Sequence, residues 1–233
     1  MEKHLLEVKN FSISFTQYER GTRQTSLQVI RGLDVTVDPG ELVAVIGSSG
    51  SGKSLLAHAV MGILPYNASA SGEILYRGEV LTPRRQKELR GKEIVLVPQS
   101  VSYLDPLMKV GEQVRNGRRG EAIREKCRRI LGSYGLGPET ENLYPFQLSG
   151  GMTRRVLISS AVMEEPRLVI ADEPTPGLHL EAAKRVLGHF KEMTETGAGV
   201  LLITHDLELA LEVADRVAVL YAGMTVEETD SRA

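Results

Sequence analysis

The apolar run Leu42-Val43-Ala44-Val45-Ile46 leads straight into Gly47-Ser48-Ser49-Gly50-Ser51-Gly52-Lys53-Ser54. No other stretch constrains this chain as tightly. Five consecutive apolar residues fit a strand buried on both faces, as in a parallel sheet. Beyond the loop, Leu55 to Met61 reads as a helix. Glycines let the backbone curl so that successive N–H groups converge on an anion. The helix N-terminus adds free donors and a favourable dipole. Strand, G-x-x-x-x-G-K-[ST], helix is the pattern that cradles phosphates. In it Lys53 reaches the β- and γ-phosphates and Ser54 ligates Mg²⁺, so a nucleoside triphosphate is the expected ligand.

Two more apolar runs, Leu168-Val169-Ile170-Ala171 and Val200-Leu201-Leu202-Ile203, are each followed by polar residues and a helical pattern. That alternation predicts a parallel sheet wrapped by helices. The first forty residues differ. Leu6-Val8, Phe11-Ile13-Phe15 and Leu33-Val35-Val37 show period two, with Asp34, Thr36 and Asp38 opposite the last set. This suits a half-exposed antiparallel sheet. From about Val110 to Glu165 the period turns helical: Ile123, Cys127, Ile130, Leu131 and Tyr134 fall on one face, and Gly151 to Glu165 forms a second helix stopped by Pro166. The expected organisation is one α/β unit, 1–233. Its core spans 1–98 and 166–233, and a helical subdomain, 99–165, is inserted into it.

Composition excludes several classes. There are 28 Lys+Arg against 30 Asp+Glu, a net charge of −2, and 42% hydrophobic residues. Such a chain is not disordered, and its charge argues against broad nucleic-acid binding. A single Cys makes neither an internal disulfide nor a zinc cluster. No apolar segment follows the start to act as a secretory signal. The best candidate span, Ser54 to Gly72, is interrupted by Pro65, Asn67, Ser69 and Ser71. The chain is therefore expected to be soluble, with any membrane attachment supplied by other chains.

A nucleotide site needs a carboxylate for its metal. Asp172 ends the run from Leu168 and can hold Mg²⁺ through water. Glu173 follows it, placed to polarise an attacking water as general base. Alone, such a pair is more often a cap; beside the phosphate loop it reads as catalytic.

Leu148-Ser149-Gly150-Gly151-Met152 stands shortly before that strand. With it, the sequence resembles the ATP-binding cassette (ABC) ATPases. Their order is phosphate loop, glutamine, LSGG signature, carboxylate strand, D-loop and histidine, and this chain follows it over nearly its full length. The resemblance implies a RecA-like P-loop NTPase core with a parallel sheet, an N-terminal antiparallel β subdomain and an inserted helical subdomain. It implies ATP and Mg²⁺ as cofactors. Gln99 would sense Mg²⁺ and water and link the site to a membrane partner. His205 would contact the γ-phosphate. Ser149, Gly150 and Gly151 would cap the ATP held by a second ATPase subunit, homo- or heteromeric, in a head-to-tail dimer. Ser149 also suits an ordinary helix N-cap. Phe15, or second Tyr18, would stack on adenine.

Finer details resemble the peptide, nickel and opine-metallophore uptake ATPases: Met152, Met61-Gly62-Ile63-Leu64-Pro65, Leu104-Asp105-Pro106, Tyr144-Pro145-Phe146-Gln147 and Tyr221-Ala222-Gly223. Oligopeptide members usually carry a cysteine-rich C-terminal extension, and the chain ending at Ala233 tilts the expectation toward the nickel or metallophore type. The implied partners are permease subunits and, indirectly, an extracytoplasmic solute-binding protein, with no nucleic acid. The implied location is the inner face of the cell membrane. Two departures stand out. His179 occupies the D-loop position where the family has Asp, and Asn116 to Gly120 replaces a longer helix linker. The first admits a degenerate or regulatory subunit as the alternative function, beside a non-transport cassette ATPase. Arg154 and Arg155 read as solvated helix positions or as phosphate contacts across the dimer.

Overall fold

The computed structural model describes residues 4–18, 24–48 and 50–230. In chain order these form β1 (Leu6–Tyr18), β2 (Gln24–Val37), β3 (Leu42–Gly47), α1 (Lys53–Met61), β4 (Ala68–Tyr76), β5 (Glu79–Val80), α2 (Pro83–Leu89) and β6 (Ile94–Val97). Then come α3 (Val110–Val114), α4 (Glu121–Ser133), α5 (Gly150–Val162), β7 (Leu168–Asp172), α6 (Leu180–Glu195), β8 (Gly199–Thr204), α7 (Leu207–Val213), β9 (Arg216–Tyr221) and β10 (Met224–Asp230). Between β6 and β7 the chain forms only helices and turns.

Two sheets result. An antiparallel sheet has the order β2-β1-β4-β5, and a second has the order β10-β9-β3-β8-β7-β6, parallel except at its β10 edge. The parity of the apolar residues in β1 explains a local irregularity. Leu6 and Val8 are even, whereas Phe11 and Ile13 are odd, yet all four are buried. Period two alone would turn one pair outward. A register shift between Val8 and Phe11, with Asn10 at a φ of 43°, inserts the extra residue that keeps both pairs inward.

The central strands are buried throughout, as their apolar runs require. Alternate residues serve two cores. Val43, Val45, Leu201 and Ile203 face the antiparallel sheet and α1. Leu42, Ala44, Val200 and Leu202 face α6 and α7, around Val186 and Phe190. A third cluster, Val110, Val114, Cys127, Leu131, Val156 and Leu157, joins α3, α4 and α5. β3, β8, β7 and β6 lie side by side and run the same way. Whatever follows their carboxyl ends is gathered along one edge of the sheet, where open α/β folds hold ligands.

Candidate nucleotide-binding site

Four adjacent strand ends supply the site. β3 gives the loop from Gly47, β8 gives His205, β7 gives Asp172 and Glu173, and Gln99 lies two residues beyond β6. Val29, Gly50, Gly52, Lys53, Ser54, Leu55, Gln99, Glu173 and His205 line one cavity of about 470 Å³. A larger groove of about 620 Å³, beside Tyr134 and His189, contains none of these groups.

The loop glycines answer to geometry. A Cβ on Gly47 would lie 2.4 Å from the Leu220 carbonyl oxygen. Gly52 caps α1 at a φ of 95°, where a side chain would be strained and would meet Ile30. Lys53, only 7% exposed, donates from Nζ to the carbonyls of Gly47 at 2.6 Å and Ser48 at 2.9 Å. The ammonium thus sits inside the curl of the loop. The Ser51 hydroxyl is buried there with no hydrogen-bond partner among the described residues. An orphan donor and a caged cation are what an anion-binding cradle presents. Ser49 lies outside the described residues.

The Ser54 hydroxyl donates to Asp172 Oδ1 at 3.1 Å. Burial pushes the Asp172 carboxyl above its ordinary range, and the Ser54 hydrogen bond works against that rise. Hydroxyl and carboxylate are hard oxygen donors suited to Mg²⁺. No group of three His, Cys, Asp or Glu able to hold a metal occurs among the described residues.

Glu173 is 6% exposed and adopts a φ of 48°, a left-handed conformation costing a non-glycine residue about 1–2 kcal/mol. Its N–H donates to the Ile203 carbonyl at 2.9 Å, and Pro174 follows. The strained turn aims the carboxylate at β8, where Oε2 lies 2.8 Å from His205 Nδ1. With Nδ1–H donating to the carboxylate, His205 Nε2 is left free on its solvent side.

The signature residues stand apart from this cavity. Ser149 and Gly150 are exposed at the start of α5, where the Ser149 hydroxyl accepts from Met152 N at 3.3 Å. The signature thus lies on a surface separate from the phosphate-loop cavity. His179 caps α6, its Nδ1 accepting from Ala182 N at 3.3 Å. Phe15 does not line the cavity: it is half-buried, packed against the core beneath the antiparallel sheet. The side chain of Tyr18 lies outside the described residues. Val29 and Leu55 also line the cavity; a lone apolar residue in a strand or helix carries no sequence signal for a ligand.

The two arginines after the signature correct the sequence reading. Arg154 is buried, not solvated, and its Nη1 donates to the Pro98 carbonyl at 3.0 Å. Arg155 donates to the carbonyls of Gly151, Tyr134 and Gly135, pinning the end of α4 to α5. Each guanidinium donates to backbone carbonyls of its own chain.

A phosphate cradle, a carboxylate pair and a histidine on adjacent parallel strand ends define a P-loop nucleotide-binding protein. Residues 30–176 match the ABC transporter family. The chain belongs to that family. It is 39% identical to the oligopeptide transport ATP-binding protein OppD of Bacillus subtilis, over 96% of this chain and 65% of the relative. It is also 39% identical to the dipeptide transport ATP-binding protein DppD of the same organism, over 97% of this chain and 70% of the relative. The glutathione import ATP-binding protein GsiA of Pectobacterium atrosepticum is 35% identical over 97% of this chain, which spans 39% of that relative. The chain thus spans less than two thirds of the first and third of these relatives. They are named for peptide and glutathione transport, not for nickel. Among solved structures, the dimeric bacterial ABC transporter cassette MJ0796 superposes with a TM-score of 0.84 at 25% identity, covering 98% of this chain and 99% of that one. A post-hydrolysis dimer of the same cassette with ADP and Pi gives 0.83 at 26% identity, again covering 98% and 99%.

Proposed function

We propose that this chain is the ATP-hydrolysing subunit of a membrane importer for peptide-like solutes. One observation carries the reading: four neighbouring strand ends bring Lys53, Ser54, Gln99, Asp172, Glu173 and His205 to one cavity edge. The loop N–H groups and Lys53 bind and orient the triphosphate. Gly47, Ser48, Ser49, Gly50, Ser51 and Gly52 form its cradle. Ser54, Asp172 and Gln99 would hold Mg²⁺, which would supply neutralisation of charge on the phosphate oxygens. Glu173 takes the proton of the attacking water, and His205 holds the carboxylate and turns Nε2 toward the γ-phosphate. Adenine stacking falls to an aromatic of the antiparallel sheet, Phe15 or Tyr18.

Ser149, Gly150 and Gly151 lie too far from this chain's own cavity to be lining it, which supports their use on a partner's nucleotide in a head-to-tail dimer. Among the described residues no helix is long and apolar enough to cross a membrane. Permease subunits supply the membrane path, and the chain works on the inner face of the membrane. The peptide and glutathione relatives favour peptide-like solutes over metal chelates. The test is reconstitution with its permeases and solute-binding protein in liposomes. Peptide-stimulated ATP hydrolysis with uptake is expected. Stimulation only by a nickel chelate would move the solute class, and no stimulation by any solute would remove the transport role.

A second reading rests on His179: one composite site of a heterodimer is slow, and the chain serves as its regulatory half. Equal turnover at both sites of a homodimer excludes it.

A further inference from the structure

Arg154 is an anomaly in the interior. Its residue is 6% exposed, and its Nη1 donates to the Pro98 carbonyl at 3.0 Å. Its Nε is buried with no hydrogen-bond partner among the described residues. A buried guanidinium with an unmet donor is costly, so an ordinary packing position would carry an apolar residue instead. What surrounds it gives the reason. Asp172 and Glu173, both buried, act electrostatically on this cation, and burial opposes its charge. The guanidinium therefore balances two adjacent carboxylates that share one low-dielectric corner.

Its bonding joins two segments. Arg154 belongs to the second turn of α5, the helix that begins at the signature Ser149-Gly150-Gly151. Pro98 directly follows β6 and has no N–H of its own, so its carbonyl is the one backbone polar group available there. The next residue is Gln99, which lines the cavity with Glu173. One guanidinium hydrogen bond thus ties the signature helix to the segment that carries Gln99.

We propose that Arg154 is a positioning residue for ATP hydrolysis: a strut that fixes Gln99 relative to Asp172 and Glu173, and that transmits movement of α5 to Gln99. The inference rests on the ATPase reading above. Arg154 touches none of the loop residues that bind phosphate, so its loss disturbs the chemical step and leaves nucleotide affinity in place. Removal of outer groups that orient a metal site commonly lowers activity about ten- to a hundredfold.

The experiment compares the parent, Arg154→Met and Arg154→Lys in three measurements: steady-state ATPase, titration with a fluorescent ATP analogue, and thermal melting. Arg154→Met should lower kcat about ten- to a hundredfold with KM and nucleotide Kd changed less than threefold. Arg154→Lys keeps the charge and a donor, and should recover kcat to within about fivefold of the parent. A folded Arg154→Met variant with kcat within threefold of the parent overturns the proposal. So does a parallel loss of kcat, affinity and melting temperature that lysine does not relieve, because that pattern belongs to a purely structural residue. Should Arg154→Met not fold, Arg154→Gln carries the same comparison. A parent that binds no ATP analogue refutes the ATPase reading itself, whatever Arg154 does.

Discussion

The Glu173 carboxylate and His205 Nδ1 stand 2.8 Å apart, bridging the ends of the neighbouring strands β7 and β8. Neither residue reaches this position without the other's strand, and Glu173 spends backbone strain to do so. The pair should act as a unit. Glu173→Gln removes the base and should lower ATP turnover by about 10²–10⁴-fold. His205→Ala frees the carboxylate and should cost a large part of the same factor. The double variant should be no slower than the worse single, since groups acting together are non-additive. Saturating-ATP assays of the four proteins decide it. Multiplicative losses would show two independent contributions.

Lys53 spends both of its visible hydrogen bonds on carbonyls of its own loop. A triphosphate offers better partners to the same ammonium. Lys53→Met keeps most of the stem and removes the charge. A charge-assisted hydrogen bond contributes about 1.5–3 kcal/mol, so ATP affinity should fall about ten- to a hundredfold. Melting temperature should change little. Titration with a fluorescent ATP analogue and a thermal melt test the two halves separately.

The helix face toward the sheet offers a stability test. Phe190 on α6 is fully buried among Val186, Leu202 and Val217, whereas Leu211 on α7 is 45% exposed. Phe190→Ala should destabilise by about 3–5 kcal/mol, while Leu211→Ala should stay within about 0.5 kcal/mol. Urea unfolding gives both values. Similar losses at the two sites would contradict the assignment of this core.

Much of this architecture is legible in the chain because two strong signals agree. The continuous runs at Leu42, Leu168 and Val200 fit strands buried on both faces, and each ends in a motif. Weaker signals fail for identifiable reasons. β4 carries Ala68-Ser69-Ala70-Ser71-Gly72, whose alternation is of small residues only and too weak to mark a strand, and it forms by pairing with β1. The bulge at Asn10 shows only as a change of parity, which becomes meaningful once both apolar pairs are seen to be buried. Arg154 is the sharpest miss. A charged residue one place from a second arginine reads as surface, and nothing local reveals that α5 is enclosed between β6 and the helical cluster. Phe15 reads as a stacking ring by its place in the first sheet; its half-buried ring packs against the core and does not line the phosphate cavity.

Acid pH should expose His189. Burial holds its imidazole below the ordinary 6.5; Glu192 draws it back, Arg185 adds to the lowering, and the Tyr134 ring packs edge-on at 4.5 Å. A depressed folded value means the unfolded chain takes the proton first as pH falls. The contribution is therefore whole above about pH 6.5 and lost below it. Urea midpoints at pH 7.5, 6.0 and 5.0 should fall less steeply in His189→Gln than in the parent. Parallel slopes would place the acid sensitivity elsewhere.

His179 gives a prediction in which stability and turnover separate. Its Nδ1 accepts from Ala182 N at 3.3 Å. This is a long cap on a helix of 16 residues. Aspartate at the same position offers a stronger acceptor and a negative charge facing the positive end of the helix. His179→Asp should stabilise the chain by about 0.5–1 kcal/mol at neutral pH. In a domain of this size that raises the melting temperature by about 1–4 °C. The segment just before the cap also meets the signature helix: a Cβ on Gly151 would lie 3.6 Å from both the Gly177 carbonyl oxygen and Leu178. Any gain in turnover would therefore arise at the approach of the D-loop to the signature, not from the cap alone. If the chain is the working ATPase of its transporter, His179→Asp should leave kcat within about twofold while the melt shifts upward. A rise in kcat of tenfold or more with the same melt shift would favour the regulatory reading, in which His179 is what slows one site. An unchanged melting temperature would refute the cap account, whatever the turnover.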